Sequence, residues 1–244
     1  MQSNEFKQAD IMETNISEHT RSKFLSHISH GIRTPLNSIM GFSKLLIEKQ
    51  LIEGQPKEYA KHIITSSNEL LNFIENLIDL SQFDSHNYEL EVQPVNLNTL
   101  LWNISESFIF SRHDFNSYHI SLKVNVDPEH YNLSLQTDYE LLKKSIIRLI
   151  NLVALITGIT NLSIEYYTEN ENVKIVIREN LNNNTQKSLV NLDNFIGGQE
   201  SFNHFNYEVL SSSIKMIGGD VCVEKDSSEY YIKVPIKWTN QDCL

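Results

Sequence analysis

Glycine, proline and cysteine are all scarce in this chain, and it has no long apolar run. Each shortage excludes something. Eight glycines in 244 residues leave little material for glycine-rich loops that cradle phosphates, where the backbone must approach oxygens closely or take positive φ. The two cysteines, Cys222 and Cys243, match no metal-ligand spacing and point to a reduced compartment. No apolar stretch approaches the ~18 residues needed to span a bilayer; the longest, Leu149 to Ile156, is interrupted by Asn151. Positive charge is also short. A net charge of −11 and a pI near 5.3 argue against a non-specific nucleic-acid binder and against attraction to an anionic membrane. The opening MQSNEFKQAD lacks a basic, apolar signal pattern. The expectation is a soluble, cytoplasmic chain, whether it stands alone or was cut from a larger membrane receptor.

What is present is helical periodicity. The length suits one large or two small domains, and an apolar fraction of 40 % supports a core. From Asn15 to Glu48 the residues Phe24, Leu25, Ile28, Ile32, Leu36, Ile39, Met40 and Leu46 recur at three- and four-residue steps, which predicts a helix. Gly54, Gln55 and Pro56 form a turn, with Pro56 suited to start the next helix. From Lys57 to Phe83 two heptad rows run in parallel. One is Ile63, Leu70 and Leu77; the other is Ala60, Ser67, Ile74 and Ser81. Two helices cannot enclose such stripes between them, so a homodimer making a four-helix bundle is the expected solution.

Beyond Asp84 the pattern changes. A linker leads to an extended segment near Pro94. Leu97–Phe110 reads as helix, and Ile120–Val126 alternates like a strand. Tyr139–Ile156 is a strongly apolar helix. Leu162–Tyr167 and Val173–Arg178 read as strands. Asn180 to Gln199 is loop-like. Tyr207–Ile217 is a helix ended by Gly218-Gly219, and Val221–Lys225 with Glu229–Ile236 makes a final hairpin. The fold class is α+β: an N-terminal helical hairpin, then helices on one face of a mixed or antiparallel sheet.

One stretch of the first helix carries chemistry: FLSHISHGIRTPLN, residues 24–37. By itself His30 would be one surface histidine among nine, and Pro35 a tolerated kink. An imidazole near neutral pH is a nucleophile, because much of it is unprotonated. His27 and Thr34 lie three and four residues away, on the same helical face. Pro35 has no N–H, so the Gly31 carbonyl loses its partner four residues on, and Gly31 adds backbone freedom. The two predict a soft spot where the helix bends just after His30.

The longer string RSKFLSHISHGIRTPLNSIMGFSKLL resembles the phosphoacceptor motif of sensor histidine kinases, in their dimerisation and histidine-phosphotransfer domain. The family pattern runs serine, histidine, acid, hydrophobic, arginine, threonine, proline, leucine. Here it reads Ser29, His30, Gly31, Ile32, Arg33, Thr34, Pro35, Leu36. LIDLSQFDSHNYELEVQPVNLNTLL resembles the family's segment between domains. The resemblance implies a phosphotransfer domain over residues 15–88 and a kinase-type ATP-binding-like domain over residues 95–240, an α/β sandwich of the histidine-kinase ATPase type. It implies that His30 carries the phosphate and that Thr34 helps water attack a partner's aspartyl phosphate. Arg33 and His27 are candidates for partner contact. One departure is plain: the family has an acid after the histidine, which orients the imidazole and takes its ring proton, and this chain has Gly31.

The second domain departs further. The family binds ATP through an asparagine-bearing helix that holds Mg²⁺, an Asp-x-Gly-x-Gly turn for adenine, and a glycine-rich closing segment. Aligned on Leu142 and Thr157, the asparagine positions fall on Arg148 and Leu152. Asn151 is one residue away, which turns a helical side chain by about 100°. The adenine turn has Glu179 for the aspartate, and Leu181 and Asn183 for the glycines. The last segment falls on Phe202, Asn203, His204, Phe205, Asn206 and Tyr207, with Gly197-Gly198 at the wrong spacing. Phe202, Phe205 and Tyr207 are expected to pack as core in a collapsed pocket.

The expectation is therefore a homodimeric histidine phosphotransferase or regulator phosphatase of the two-component type. His30 exchanges phosphate with response-regulator aspartates. No cofactor of its own is expected, Mg²⁺ is supplied at the regulator's site, and ATP is not expected to bind. Two alternatives stand beside it: a sensor kinase with a divergent ATP site, and a non-catalytic pseudokinase scaffold that binds a response regulator.

Overall fold

The computed structural model describes residues 28–84, 88–110, 120–125, 133–180, 200–224 and 229–237. These fall into two compact units, one built on the chain up to Glu89 and one from Leu90 onward.

The first unit holds two helices, α1 (residues 28–48) and α2 (Gln55–Asp84). A tight turn joins them, with Gly54 in the left-handed region at φ 62° and its carbonyl accepting from the Lys57 N–H. Pro56 falls at the second helical residue, where its missing N–H leaves no helical bond unmade. The two heptad rows of α2 separate. Ala60, Ser67 and Ile74 are buried, and Ile64 is fully enclosed beside them. Ile63 and Leu70 are exposed. On α1 the small polar Ser29 and Ser43 are buried, along with Ile47. Ile47, Ala60 and Ile64 form one apolar cluster, with Ile52 against it.

The second unit begins with β1 (Val92–Asn96) and α3 (Leu97–Phe110), followed by β2 (Ser121–Asn125), β3 (Ser134–Asp138) and α4 (Tyr139–Thr157). Then come β4 (Asn161–Glu169), β5 (Asn172–Glu179), α5 (Glu200–Met216), β6 (Asp220–Glu224) and β7 (Glu229–Pro235). Five strands make a mixed sheet in the order β2-β4-β5-β7-β6, with β2 and β4 parallel and the rest antiparallel. The alternation places Ile164 opposite Ile177, and Ile175 opposite Ile232, all fully buried. Leu100, Leu101 and Ile104 of α3, Ile146, Ile150 and Val153 of α4, and Val209, Leu210 and Ile214 of α5 complete that core. A separate antiparallel pair, β1–β3, sets buried Val95 opposite buried Leu135.

The helix ends follow from their residues. Asp138 caps α4: one carboxylate oxygen accepts from the Leu141 N–H at 2.9 Å and the other from the Glu91 N–H at 3.1 Å. The same side chain thus starts the helix and ties it to the approach of β1. Gly158 at φ 67° closes α4, its N–H bonded to the Ala154 carbonyl. Gly218 at φ 72° closes α5, and the Gly219 N–H returns to the Ile214 carbonyl at 2.9 Å.

Two elements differ from the sequence reading. Strand β3 falls in a stretch read as nothing, because its five residues, SLQTD, are mostly polar and too short to show alternation. Helix α5 begins at Glu200 rather than Tyr207. Its first half carries Asn203, His204 and Asn206, which mask the apolar period. Phe205 and Tyr207 are accordingly half-buried at the end of the α5 stripe, not core; partial burial pushes the Tyr207 phenol up from its ordinary range. Residues 15–27, Leu181, Asn183, Gly197 and Gly198 lie outside the described residues, as do the side chains of Phe202 and Asn203.

Candidate functional site

The strip of interest occupies the described start of α1. Helix continues unbroken from residue 28 to residue 48 through both Gly31 and Pro35. His30, Gly31, Arg33, Thr34 and Pro35 are all exposed. Ser29, between them and the inner face, is buried. The helix thus anchors the strip by one small side chain while the imidazole stands in solvent. His27 lies outside the described residues.

Two side chains of the strip bond back to the turn before them. The Thr34 hydroxyl donates to the His30 carbonyl at 3.3 Å, and the Ser38 hydroxyl to the Thr34 carbonyl at 3.1 Å. Such bonds back to the preceding turn are common for helical serine and threonine. At Gly31 an added Cβ would meet nothing within 4 Å, so packing does not demand a glycine there.

Arg33 crosses the hairpin. Its Nη2 donates to Oε1 of Glu75 on α2 at 2.8 Å, and the two side chains are 46 % and 51 % exposed. Sequence reasoning missed Glu75. It lies 42 residues from Arg33, and no local motif joins them. The heptad frame of α2 was the one available signal, since it fixes which positions of α2 face α1.

The outer apolar residues of each helix fall largely on one face. On α1 it comprises Ile28, Ile39, Leu46 and Phe42, the last 70 % exposed, and on α2 Tyr59, Ile63 and Leu70. Their steps are mostly three, four and seven, so each set shares one side of its helix.

In the second unit the positions aligned with the family's ligand asparagines have other employment. Leu152 is buried at 7 % exposure. Arg148 is half-buried and donates from Nη1 to the Ser213 hydroxyl of α5 at 3.2 Å. Ser213 is itself fully buried and donates to the Val209 carbonyl. Asn151 is exposed. Glu179 ends β5 half-buried. Among the described residues, no group of three or more histidine, cysteine, aspartate or glutamate side chains could hold a metal ion.

Comparisons with known proteins agree on a family. The His Kinase A (phospho-acceptor) domain matches residues 20–86. Sensor protein EvgS of Escherichia coli (strain K12) is 39 % identical over 88 residues, 36 % of this chain and 7 % of that protein. Sensor histidine kinase GacS of Pseudomonas protegens is 27 % identical over 237 residues, 91 % of this chain and 25 % of that protein. The chain thus spans a quarter or less of the length of these relatives. Among solved structures, the crystal structure of full-length ShkA in complex with AMPPNP superposes at TM-score 0.54 and 18 % identity, over 89 % of this chain and 46 % of that one. Histidine kinase AdeS of Acinetobacter baumannii superposes at TM-score 0.53 and 15 % identity, over 86 % of this chain and 98 % of that one. At those identities the two structures speak for the fold.

Proposed function

We propose that this chain, whose residues 20–86 match the His Kinase A (phospho-acceptor) domain, is a His–Asp phosphotransfer protein of the sensor histidine kinase type that does not phosphorylate itself from ATP. The observation that carries the reading is a contrast. The phosphoacceptor strip is exposed around His30, while Leu152, at an aligned asparagine position, is buried in a core.

The chemistry asked of the chain is small. The neutral imidazole of His30 attacks the phosphorus of a regulator's aspartyl phosphate. The carboxylate–phosphorus bond breaks and its electron pair returns to the aspartate. A nitrogen–phosphorus bond forms, and the ring's other N–H proton leaves to water. The reverse step recharges a regulator. Magnesium belongs to the regulator's acidic site in this scheme. Arg33 and His27 meet the regulator, and Gly31 and Pro35 let the helix bend as it docks. Water in place of imidazole gives the phosphatase direction, with Thr34 as the positioning hydroxyl.

The residues of the second unit do not fit a magnesium-bound nucleotide. Leu152 offers no oxygen, and Arg148 brings positive charge already bonded to Ser213. The unit acts instead as a brace or docking surface. The outer face of the hairpin, with Phe42, Ile63 and Leu70 exposed, supports a homodimeric four-helix bundle, because an apolar face this long is seldom left in water. No helix among the described residues is long and apolar enough to cross a membrane, and a cytoplasmic site of action fits a regulator partner.

The test is a pair of reactions with His30→Gln beside each. One supplies labelled ATP and Mg²⁺; the other supplies a receiver domain charged with labelled acetyl phosphate. Acid-labile label from the receiver alone, absent in the variant, is the expected result. Label from ATP overturns the reading.

A further inference from the structure

We propose that Glu75 is a removable lock on Arg33: its carboxylate holds the guanidinium while His30 is bare, and releases it to the phosphoryl oxygens once His30 is phosphorylated. This rests on the phosphotransfer reading above and adds a positioning residue to it.

Arg33 follows His30 by three residues, so the two share a face of α1 with Cβ atoms about 5–6 Å apart. Its side chain is nonetheless committed across the hairpin, to Glu75 at 2.8 Å. Position 31 carries a glycine and no carboxylate, so the negative charge that engages Arg33 comes from α2. The commitment is shallow. Both partners are about half exposed, at 46 % and 51 %, and pairs held in water contribute little. A phosphoryl group is a stronger competitor. It brings roughly two negative charges and three acceptor oxygens, and a guanidinium takes such oxygens through paired hydrogen bonds. When phosphate reaches His30, the exchange runs toward it. Arg33 changes only its partner. The link between α1 and α2 at this level opens while the phosphate is on and closes when it leaves.

The experiment uses the full chain and phosphoramidate, a small donor that phosphorylates exposed histidine without a regulator. Wild type, Glu75→Gln, Arg33→Gln, the double variant and His30→Gln are followed by phosphorus NMR and by acid-labile phosphate. Circular dichroism checks that helicity is equal. Freeing Arg33 removes the competition of an exposed ion pair, so Glu75→Gln should raise the initial rate at His30 about two- to fivefold. Arg33→Gln should lower it, and the double variant should match Arg33→Gln. A Glu75→Gln rate equal to wild type overturns the lock. So does an equal gain with and without Arg33, which would make Glu75 a plain repulsive charge. A second arm replaces phosphoramidate by a receiver domain charged with acetyl phosphate. If Arg33 dependence appears with phosphoramidate but the receiver never labels His30, the phosphotransfer reading falls and the lock stands. If the receiver labels His30 equally in the Arg33 and Glu75 variants, the lock falls and the reading stands.

Discussion

The two units of this chain treat some of their polar residues differently. In the second unit they are absorbed into the fold. Ser145, with no exposure, bonds the Leu141 carbonyl at 2.8 Å, and the Tyr166 hydroxyl donates to buried Asn98 at 2.8 Å. Lys174, only 7 % exposed, stacks 3.9 Å from the centre of the Tyr231 ring. In the hairpin the polar strip from His30 to Ser38 faces water, and its one ion pair is half exposed. Large apolar residues lean the other way: among the described residues, apart from Val92 and Trp102, the exposed ones all lie on the hairpin. Side chains already used by packing are poor carriers of chemistry, and those left free are good ones. The difference supports the proposed division, with the working surface on the hairpin and a supporting role for the sheet domain.

The largest effect should come from opening the closed unit. Leu152→Asn places an amide in a core where Leu152 is 7 % exposed. Loss of the leucine and an unsatisfied polar group together should cost about 2–4 kcal/mol, read as a lower denaturant midpoint for that unit. Nucleotide binding by calorimetry should be absent in wild type and variant alike. A variant that keeps its stability and gains magnesium-dependent nucleotide binding would break the comparison.

Much of the fold was legible because its periods are long. Helix α4 was read to within a residue at its end, since ten of its residues are buried on a regular stripe and Asp138 and Gly158 mark its ends. The proposed working strip was legible for another reason: His30, Arg33, Thr34 and Pro35 lie within one short string, and its resemblance to the phosphoacceptor motif exposes them. Glu75 was not, because a cross-hairpin pair depends on how two helices are set side by side. Strand β3 was missed because a five-residue polar strand depends on its partner β1 for definition.

The open face offers the next effect. Phe42, 70 % exposed on α1, belongs to the outer face that the proposed dimer would cover. Phe42→Glu should raise the dimer Kd at least about 30-fold, the effect of losing one strong aromatic anchor. Sedimentation across a concentration series reads this directly. If the wild type is monomeric at micromolar concentration, the bundle is wrong and the open face needs another occupant.

A smaller effect tests closure from the backbone side. A Cβ added to Gly219 would stand 2.4 Å from the Lys233 carbonyl oxygen and 3.0 Å from side-chain carbons of Ile214 and Val234. Gly219→Ala must therefore shift β7 away from the end of α5, at a cost of about 1–3 kcal/mol. The melt of the second unit should move while transfer of phosphate to His30 stays as it was. If transfer falls in step with stability, the sheet domain takes part in the chemistry and does more than brace it.

The smallest stability effect carries the most discriminating readout. Gly31→Glu adds a side chain at an exposed helical position where nothing stands within 4 Å. Replacing a helical glycine should stabilise the hairpin by about 0.5–1 kcal/mol, seen as a slightly higher melting temperature. It also restores the acid that the resemblance places beside the phosphoacceptor. Two departures from the family, Gly31 and the filled positions at Arg148 and Leu152, could each silence ATP-dependent phosphorylation, and this substitution repairs only the first. If labelled ATP still leaves His30 bare in Gly31→Glu, the block lies in the second unit, where Leu152 is buried and Arg148 is bonded to Ser213. If label appears, the sheet domain binds nucleotide after all, and the division between a working hairpin and a supporting domain has to be redrawn.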